Sequence, residues 1–162
     1  MDKKLIIRPY RKSDRAAVII GCIDLQETEH AISEFCLPGK DVGERYLDLL
    51  IKLNSENSGL ILVAEFDEKI VGFISCRIET DESVTTTENY NIFGYISDAW
   101  TDREYRKQGI FRALNDAAIQ YLKGLNRVTV VKLNVIAKNK AAIAAYENTG
   151  YKIQELTLVK KI

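Results

Sequence analysis

Two apolar segments joined by a three-residue polar turn constrain the fold of this chain more than any other feature. The segments span residues 59–66 and 70–78, and Asp67-Glu68-Lys69 separates them. Both are rich in β-branched and other apolar residues, as buried strands are. Strands joined by so short a connection pair antiparallel. The sequence therefore predicts a sheet that contains a buried antiparallel hairpin.

Further helices and strands are predicted on both sides of this hairpin. Helical periodicity predicts four helices, which begin at Ser13 or Asp14, at Asp41, after the turn at residues 106–109, and at Asn139. The first is expected to end near Leu25. Strand patterns predict additional strands at residues 5–8, 92–101, 128–135 and 151–160. The polar segment 81–91 is expected to be a mobile loop or a solvated strand extension. The expected fold class is one mixed α/β (α+β) domain over residues 1–162.

Composition narrows the classes of function. The 162 residues are 46% hydrophobic, which is too apolar for a disordered chain. Lys+Arg and Asp+Glu number 23 each. This balance gives no broad basic surface, so no nucleic-acid partner is expected. Cysteines at three positions form no C-x-x-C pair and His30 is the sole histidine, so no metal site is expected. We find neither a signal peptide nor an apolar segment long enough for a membrane span, and expect a cytoplasmic protein without membrane partners.

The junction at residues 101–110 carries the first chemical signal. A predicted strand leads into a basic turn with Arg106, Lys107 and Gly109, and an amphipathic helix follows. The first N–H groups of a helix lack internal partners and favour anions. Gly109 lets a ligand approach the backbone closely. The pattern suits a pyrophosphate, and an ordinary strand-to-helix turn with solvated basic residues fits it equally well.

The second signal lies at the C-terminal side of the chain. Asn139, Ala142, Tyr146, Gly150 and Tyr151 recur in a helix–turn–strand context. Tyr146 lies two helical turns after Asn139, so the two side chains point to roughly the same side. Taken alone, Tyr146 is interpreted as a core or half-buried aromatic residue rather than an acid.

Together the two signals resemble the GNAT superfamily of N-acetyltransferases. The resemblance rests on Arg106-x-x-Gly109, followed by a helix, a strand and the Asn139-to-Tyr151 pattern. Residues 8–14 are similar to that family's opening strand and first-helix cap, and the hairpin is similar to its second and third strands. The resemblance implies a central mixed, mostly antiparallel sheet. Its fourth and fifth strands are splayed, and about four helices flank it.

The resemblance also implies roles for individual residues. The turn matches the family's pyrophosphate loop, and the end of the fourth strand matches the segment that binds the pantetheine arm through its backbone. Asn139 matches a contact to the cofactor arm, and Tyr146 matches the usual general acid and a cofactor contact. Phe111 departs from the glycine or alanine of the family, so its side chain either crowds the pyrophosphate or turns toward the core. The implied cofactor-binding residues are Ala99, Trp100, Thr101, Arg106, Lys107, Gln108, Gly109, Ile110, Phe111, Asn139 and Tyr146.

The general base and the acceptor site are less well defined. Asp98 lies just before the splay, where polyamine-type relatives carry an acidic pair whose other position is Ser97 here. Asp98, acting through a water, is the first candidate for the base, and pairing with a basic residue is an equal alternative. Glu27, Glu29 and His30 are predicted to follow the first helix and border the acceptor site. They either bind a cationic amine, with His30 as a possible base, or form a solvated polar face.

The implied activity is acetyl transfer from acetyl-CoA to a primary amine of a small molecule or a peptide, without a metal. A homodimer is compatible with the family. Two alternatives remain at this stage. One is a non-catalytic CoA-binding or regulatory module, favoured by Ser97 and Phe111. The other is a nucleotide-binding protein, which the missing G-x-G-x-x-G run disfavours.

Overall fold

A computed structural model describes residues 4–162 of the chain. Five strands are formed by β1 (Leu5–Pro9), β2 (Leu60–Phe66), β3 (Lys69–Thr80), β4 (Ile92–Thr101) and β5 (Val131–Leu133). Four helices are formed by α1 (Arg15–His30), α2 (Gly39–Glu56), α3 (Ile110–Gly124) and α4 (Lys140–Glu147). None of these helices is long and apolar enough to cross a membrane.

The strands form one mixed sheet in the order β1-β2-β3-β4-β5. The first four strands pair antiparallel, and β5 pairs parallel with β4. The predicted hairpin is confirmed, because β2 and β3 are antiparallel neighbours joined at Phe66↔Lys69. The predicted mixed, mostly antiparallel sheet with four helices is therefore confirmed.

Helices cover both faces of the sheet. On one face, α3 packs through Leu114, Ala118 and Leu122 onto Ile74 and Ile96. On the other face, α1 and α2 cover Phe73 and Trp100 with a cluster that includes Val18, Cys22, Leu47 and Leu50. Alternate residues of a strand point to opposite faces, so β3 and β4 supply both cores.

Several predicted boundaries were wrong. Helix α1 continues beyond Leu25 to His30, so Glu27, Glu29 and His30 lie in its last turns instead of after it. Helix α2 begins at Gly39, directly after Pro38, and not at an Asp41 cap. Proline fixes its own φ near the helical value and cannot donate a hydrogen bond, so it favours a helix start. Strand β5 has three residues, fewer than the predicted 128–135 segment.

The predicted final strand at residues 151–160 is also wrong. This segment joins no strand ladder, and Ile153, Leu156, Leu158 and Val159 are all more than half exposed. An alternating sequence forms a strand only where a neighbour supplies the hydrogen-bond ladder. Only residues 131–133 of the preceding segment are in the sheet.

Gly21 allows α1 to approach the sheet closely. A Cβ atom at this position would lie 2.7 Å from the Trp100 ring and 2.9 Å from the Phe73 ring. Gly21→Ala is therefore expected to lower the free energy of unfolding by about 1–3 kcal/mol through overpacking. Chemical denaturation measures this change. In Gly124→Ala, a new Cβ meets nothing within 4 Å, so unchanged or higher stability is expected. Equal stability of both variants would contradict the close packing of α1.

Candidate active site

Strands β4 and β5 separate at one end of their ladder. Their parallel pairing covers three residue pairs and ends at Ile96↔Leu133, whereas β4 continues to Thr101. Residues 98–101 are paired with β3 on one side and extend beyond β5 on the other. Backbone groups freed in this way can bind an extended ligand.

A β-bulge at Ser97 determines which face Asp98 occupies. Arg77 pairs with Tyr95 and Ser75 pairs with Asp98, so one residue of β3 (Cys76) lies opposite two residues of β4 (Ile96 and Ser97). Ser75 and Arg77 share one face of β3, and Tyr95 and Asp98 therefore share that face of β4. Regular alternation would place Tyr95 and Asp98 on opposite faces. The bulge thus brings both residues to the face of the sheet on which α1 and α2 pack.

Asp98 is buried, with 6% of its surface exposed. Its Oδ1 accepts a hydrogen bond of 2.6 Å from the Tyr46 hydroxyl, and its buried Oδ2 makes no hydrogen bond with the described residues. Burial raises the pKa of this carboxyl, and the Tyr46 hydrogen bond partly opposes that rise. A carboxylate with a raised pKa is a better proton acceptor near neutral pH. The sequence left a basic residue as the alternative partner of Asp98. The side chain that bonds Asp98 is instead that of Tyr46.

The three predicted acceptor-site residues have different surroundings. Glu29 is half-buried, and burial, together with the nearby charge of Asp98, raises its pKa. Glu27 Oε1 accepts from the backbone N–H of Lys40 at 3.3 Å, at the start of α2. The exposed His30 ring contacts the Cys36 carbonyl at 2.6 Å. The charge of Asp98 therefore reaches Glu29, whereas Glu27 and His30 bond within the connection between α1 and α2.

Tyr146 lies half-buried on α4 between two other rings. Its ring centroid is 5.3 Å from that of Phe111 and 5.6 Å from that of Tyr151, both in edge-to-face geometry. Burial raises the pKa of its hydroxyl, and the negative charge of Asp98 adds to the rise. The hydroxyl therefore keeps its proton at neutral pH and can donate it. Phe111 turns its ring toward Tyr146, which leaves the adjoining loop open.

The predicted pyrophosphate loop forms an open helix start. Gly109 is the N-cap of α3 in a left-handed conformation, with φ of +81°, and a Cβ there would meet nothing within 4 Å. No side chain caps the first turn of α3. The N–H groups of Ile110 and its neighbours are therefore available to an anion. This open cradle fits a pyrophosphate.

The polar residues before Gly109 differ in their hydrogen-bond partners and exposure. Arg106 Nε donates to the Thr101 carbonyl at 3.0 Å, and its Nη2 lies 3.7 Å from Asp24. Gln108 donates to the Glu104 carbonyl. Lys107 is exposed and has a left-handed φ of +62°. Lys107 thus offers its charge to solvent beside the open helix start, whereas Arg106 braces the turn.

The remaining predicted cofactor contacts lie near this loop. Ala99 and Thr101 are half-buried on the end of β4 that extends beyond β5. Trp100 is buried, and its indole N–H donates to Asp24 Oδ2 at 2.8 Å. Asn139 caps α4 by accepting from the N–H of Ala142 at 3.1 Å. Asn139 therefore has a structural role as the N-cap of α4.

Two residues of the candidate site could not be identified from the sequence. Tyr46 is indistinguishable in sequence from the other apolar-face residues of α2, and only its tertiary contact reveals the hydrogen bond to Asp98. Asp24 lies mid-helix, where it bonds the Trp100 indole and pairs with Arg103 at 3.5 Å. Neither residue belongs to a local motif. Within residues 4–162, no group of three or more histidine, cysteine, aspartate or glutamate residues is placed to hold a metal ion.

Comparisons with known proteins agree with this geometry. The family model for the Acetyltransferase (GNAT) family matches residues 18–151. An uncharacterized N-acetyltransferase of Methanocaldococcus jannaschii is 30% identical over 122 residues, which cover 72% of this chain and 50% of that protein. Human N-acetyltransferase 8 is 26% identical over 125 residues, which cover 77% of this chain and 49% of that protein. The chain thus spans about half the length of these curated relatives.

A solved structure shares the fold. An aminoglycoside N-acetyltransferase, crystallised in complex with CoA, superposes with a TM-score of 0.75 at 12% identity and covers 100% of this chain and 97% of its own. At this identity the likeness concerns the fold alone. The family model spans most of the chain, including the loop at Gly109 and the helix with Tyr146. The chain therefore belongs to the GNAT family of acetyltransferases by its family-model match.

Proposed function

We propose that this enzyme transfers an acetyl group from acetyl-CoA to a primary amine by direct attack on the thioester. The observation that carries the proposal is that the end of β4 beyond its ladder with β5 holds the buried Asp98 and leads, through residues 102–109, into the open helix start at Gly109. The helix start suits a pyrophosphate, and Asp98 suits proton transfer.

Acetyl-CoA, when bound, supplies a thioester carbonyl that a neutral amine can attack. The N–H groups at the start of α3 would hold its pyrophosphate, with Lys107 adding charge. The backbone of Ala99, Trp100 and Thr101 would hold the pantetheine arm. A backbone N–H in this segment would also stabilise negative charge on the carbonyl oxygen.

The acidic pair Glu29 and Asp98 suits an amine acceptor. An alkyl amine with a pKa of about 10.4 is protonated at neutral pH, and its deprotonation costs roughly 4–5 kcal/mol at pH 7. Two carboxylates in a desolvated site attract the ammonium and can take up its proton. A positioned general base contributes about 10²–10⁴ in rate, which is of the same order as this cost.

A ligand screen by thermal shift tests the donor. A ligand that binds only the folded state raises the unfolding midpoint. Acetyl-CoA and CoA are expected to raise the midpoint, whereas NAD and ATP at the same concentration are expected to leave it nearly unchanged. Stabilisation by a nucleotide and not by CoA would contradict the proposed donor.

Tyr146→Phe tests the general acid. The substitution removes one oxygen and keeps the ring between Phe111 and Tyr151. We expect kcat to fall about 10-fold, with little change in the Kd of acetyl-CoA. The effect is smaller than that expected for a base because a thiolate, with a thiol pKa of about 8.5, is a fair leaving group. Steady-state kinetics and calorimetry measure the two quantities. Full turnover in Tyr146→Phe would show that Tyr146 is not the acid.

A further inference from the structure

We infer that the Tyr46 hydroxyl relays a proton from the acceptor amine to the buried carboxylate of Asp98. This inference rests on the proposed function and concerns how the base is reached. Tyr46 lies on α2, outside the loop and helix that carry the family resemblance.

The burial of Asp98 separates it from any acceptor. The residue is 6% exposed, and its Oδ2 is enclosed. Its other oxygen, Oδ1, lies 2.6 Å from the Tyr46 hydroxyl, which is its hydrogen-bond donor. An acceptor amine therefore cannot bind the carboxylate directly. Tyr46 is half-buried: its ring packs against the core beneath α2, and part of its surface remains exposed.

The Tyr46 hydroxyl has the chemistry that a relay needs. A phenol can donate one hydrogen bond and accept another at the same time. Burial raises the pKa of Tyr46, and the charge of Asp98 adds to the rise, so the group stays protonated near neutral pH. Its proton lies on the bond toward Asp98, which leaves lone pairs for an N–H donor on the other side.

The proton transfer from the ammonium to Asp98 conserves the number of protons. One N–H bond of the ammonium breaks as an O–H bond forms at Tyr46 Oη, and the original hydroxyl proton of Tyr46 moves to Asp98 Oδ1. The products are a neutral amine, a neutral Tyr46 and a protonated Asp98. The raised pKa of Asp98 makes this transfer less unfavourable than a transfer to an ordinary carboxylate would be.

Other titratable and charged groups surround this pair and set its pH dependence. Glu29 is a second carboxyl that the charge of Asp98 reaches, and its negative form attracts an ammonium. Arg77 lies close enough to lower the pKa of Asp98. The groups that face the pair from the neighbouring elements are Cys22 and Glu29 of α1, Arg77 of β3, Tyr95 of β4 and Tyr146 of α4.

Tyr46→Phe gives the principal test. The variant keeps the ring but removes the relay and a hydrogen bond that lowers the pKa of Asp98. We expect kcat/KM for the amine to fall about 10- to 100-fold at neutral pH. We also expect the acid limb of the pH profile to move to higher pH, with the Kd of acetyl-CoA unchanged. Tyr121→Phe is the matched control, because its hydroxyl donates to the Ser58 carbonyl at 3.0 Å, away from the site.

Two further measurements separate a relay from a structural role. In a relay, Tyr46→Phe adds little to the loss already caused by Asp98→Asn, because both remove the same path. Site-specific 3-fluorotyrosine at position 46 preserves the packing and makes the phenol a stronger donor, so the acid limb should move to lower pH. The fluorotyrosine protein also tests the relay if Tyr46→Phe does not fold.

The outcomes distinguish the relay from the proposed function. A wild-type protein that acetylates no amine overturns the proposed function, and the relay with it. An active wild type whose Tyr46→Phe variant keeps its kcat/KM and acid limb overturns the relay alone. An additive loss in the double variant also overturns it, because Tyr46 and Asp98 would then act independently.

Discussion

Asp98→Asn is expected to lower kcat/KM for acetyl transfer to an amine by about 10²–10⁴ at neutral pH. That range is the contribution of a positioned general base. The amide retains an oxygen that can accept the 2.6 Å hydrogen bond from Tyr46 but cannot take up the proton. Steady-state kinetics at saturating acetyl-CoA measure the loss, and calorimetry should show an unchanged Kd for acetyl-CoA.

The control for this variant is Asp116→Asn, which changes the same side chain at an exposed position of α3. It is expected to retain wild-type kinetics. Wild-type activity in Asp98→Asn would exclude Asp98 as the proton acceptor and favour Glu29, the other carboxylate of the cluster.

Asp98→Asn also tests the environment of Asp98 through stability, with no measurement of turnover. The folded pKa of this carboxyl is raised above its unfolded value, so the protonated form is favoured in the folded state. Its contribution to stability is therefore greatest below pH 4 and declines as the pH rises through the folded pKa. The unfolding free energy of wild type relative to Asp98→Asn should decrease over that interval. A constant difference would contradict the raised pKa.

Gly109→Val is expected to weaken CoA binding about 100-fold or more. The left-handed φ of +81° penalises a β-branched residue, and the side chain would occupy the open space where the pyrophosphate is proposed to bind. A hydrogen bond to a charged group contributes about 1.5–3 kcal/mol, so the loss of one or two such bonds is sufficient. Calorimetric titration with CoA measures the change.

Asn126→Val controls for backbone strain. Asn126 is exposed and has a left-handed φ of 51°, so valine there introduces a similar penalty after α3, away from the helix start. Both variants are expected to unfold at a lower temperature, whereas only Gly109→Val is expected to lose affinity for CoA. Equal CoA affinity in the two variants would exclude the Gly109 turn as the pyrophosphate site.

Local patterns in the sequence predicted much of the fold. The β2–β3 hairpin follows from two apolar segments and a short turn, and α3 follows from one apolar face after Gly109. The prediction of a final strand was wrong because the alternation of apolar and polar residues is necessary for a strand but not sufficient. Pairing depends on a neighbouring strand, and residues 151–160 have no ladder partner in the described structure.

The candidate site was predictable only in part. Asp98, Glu29 and Tyr146 were identified as candidates, and burial together with the charge of Asp98 raises the pKa of the other two. Their convergence depends on the bulge at Ser97, which shifts Asp98 to the face of Tyr95. A single inserted residue in a ladder leaves no distinct local signal, and the Tyr46 contact spans 52 positions of the chain. Such features arise from tertiary packing and not from sequence periodicity.

The most direct test is turnover of the wild-type enzyme with acetyl-CoA and a panel of primary amines. Released CoA thiol and the mass of the acetylated amine are measured in the same reaction. The proposed function predicts one acetylated amine for each thiol released with at least one acceptor, and no thiol release above background without an amine. CoA binding with no acetylated product from any amine would contradict it.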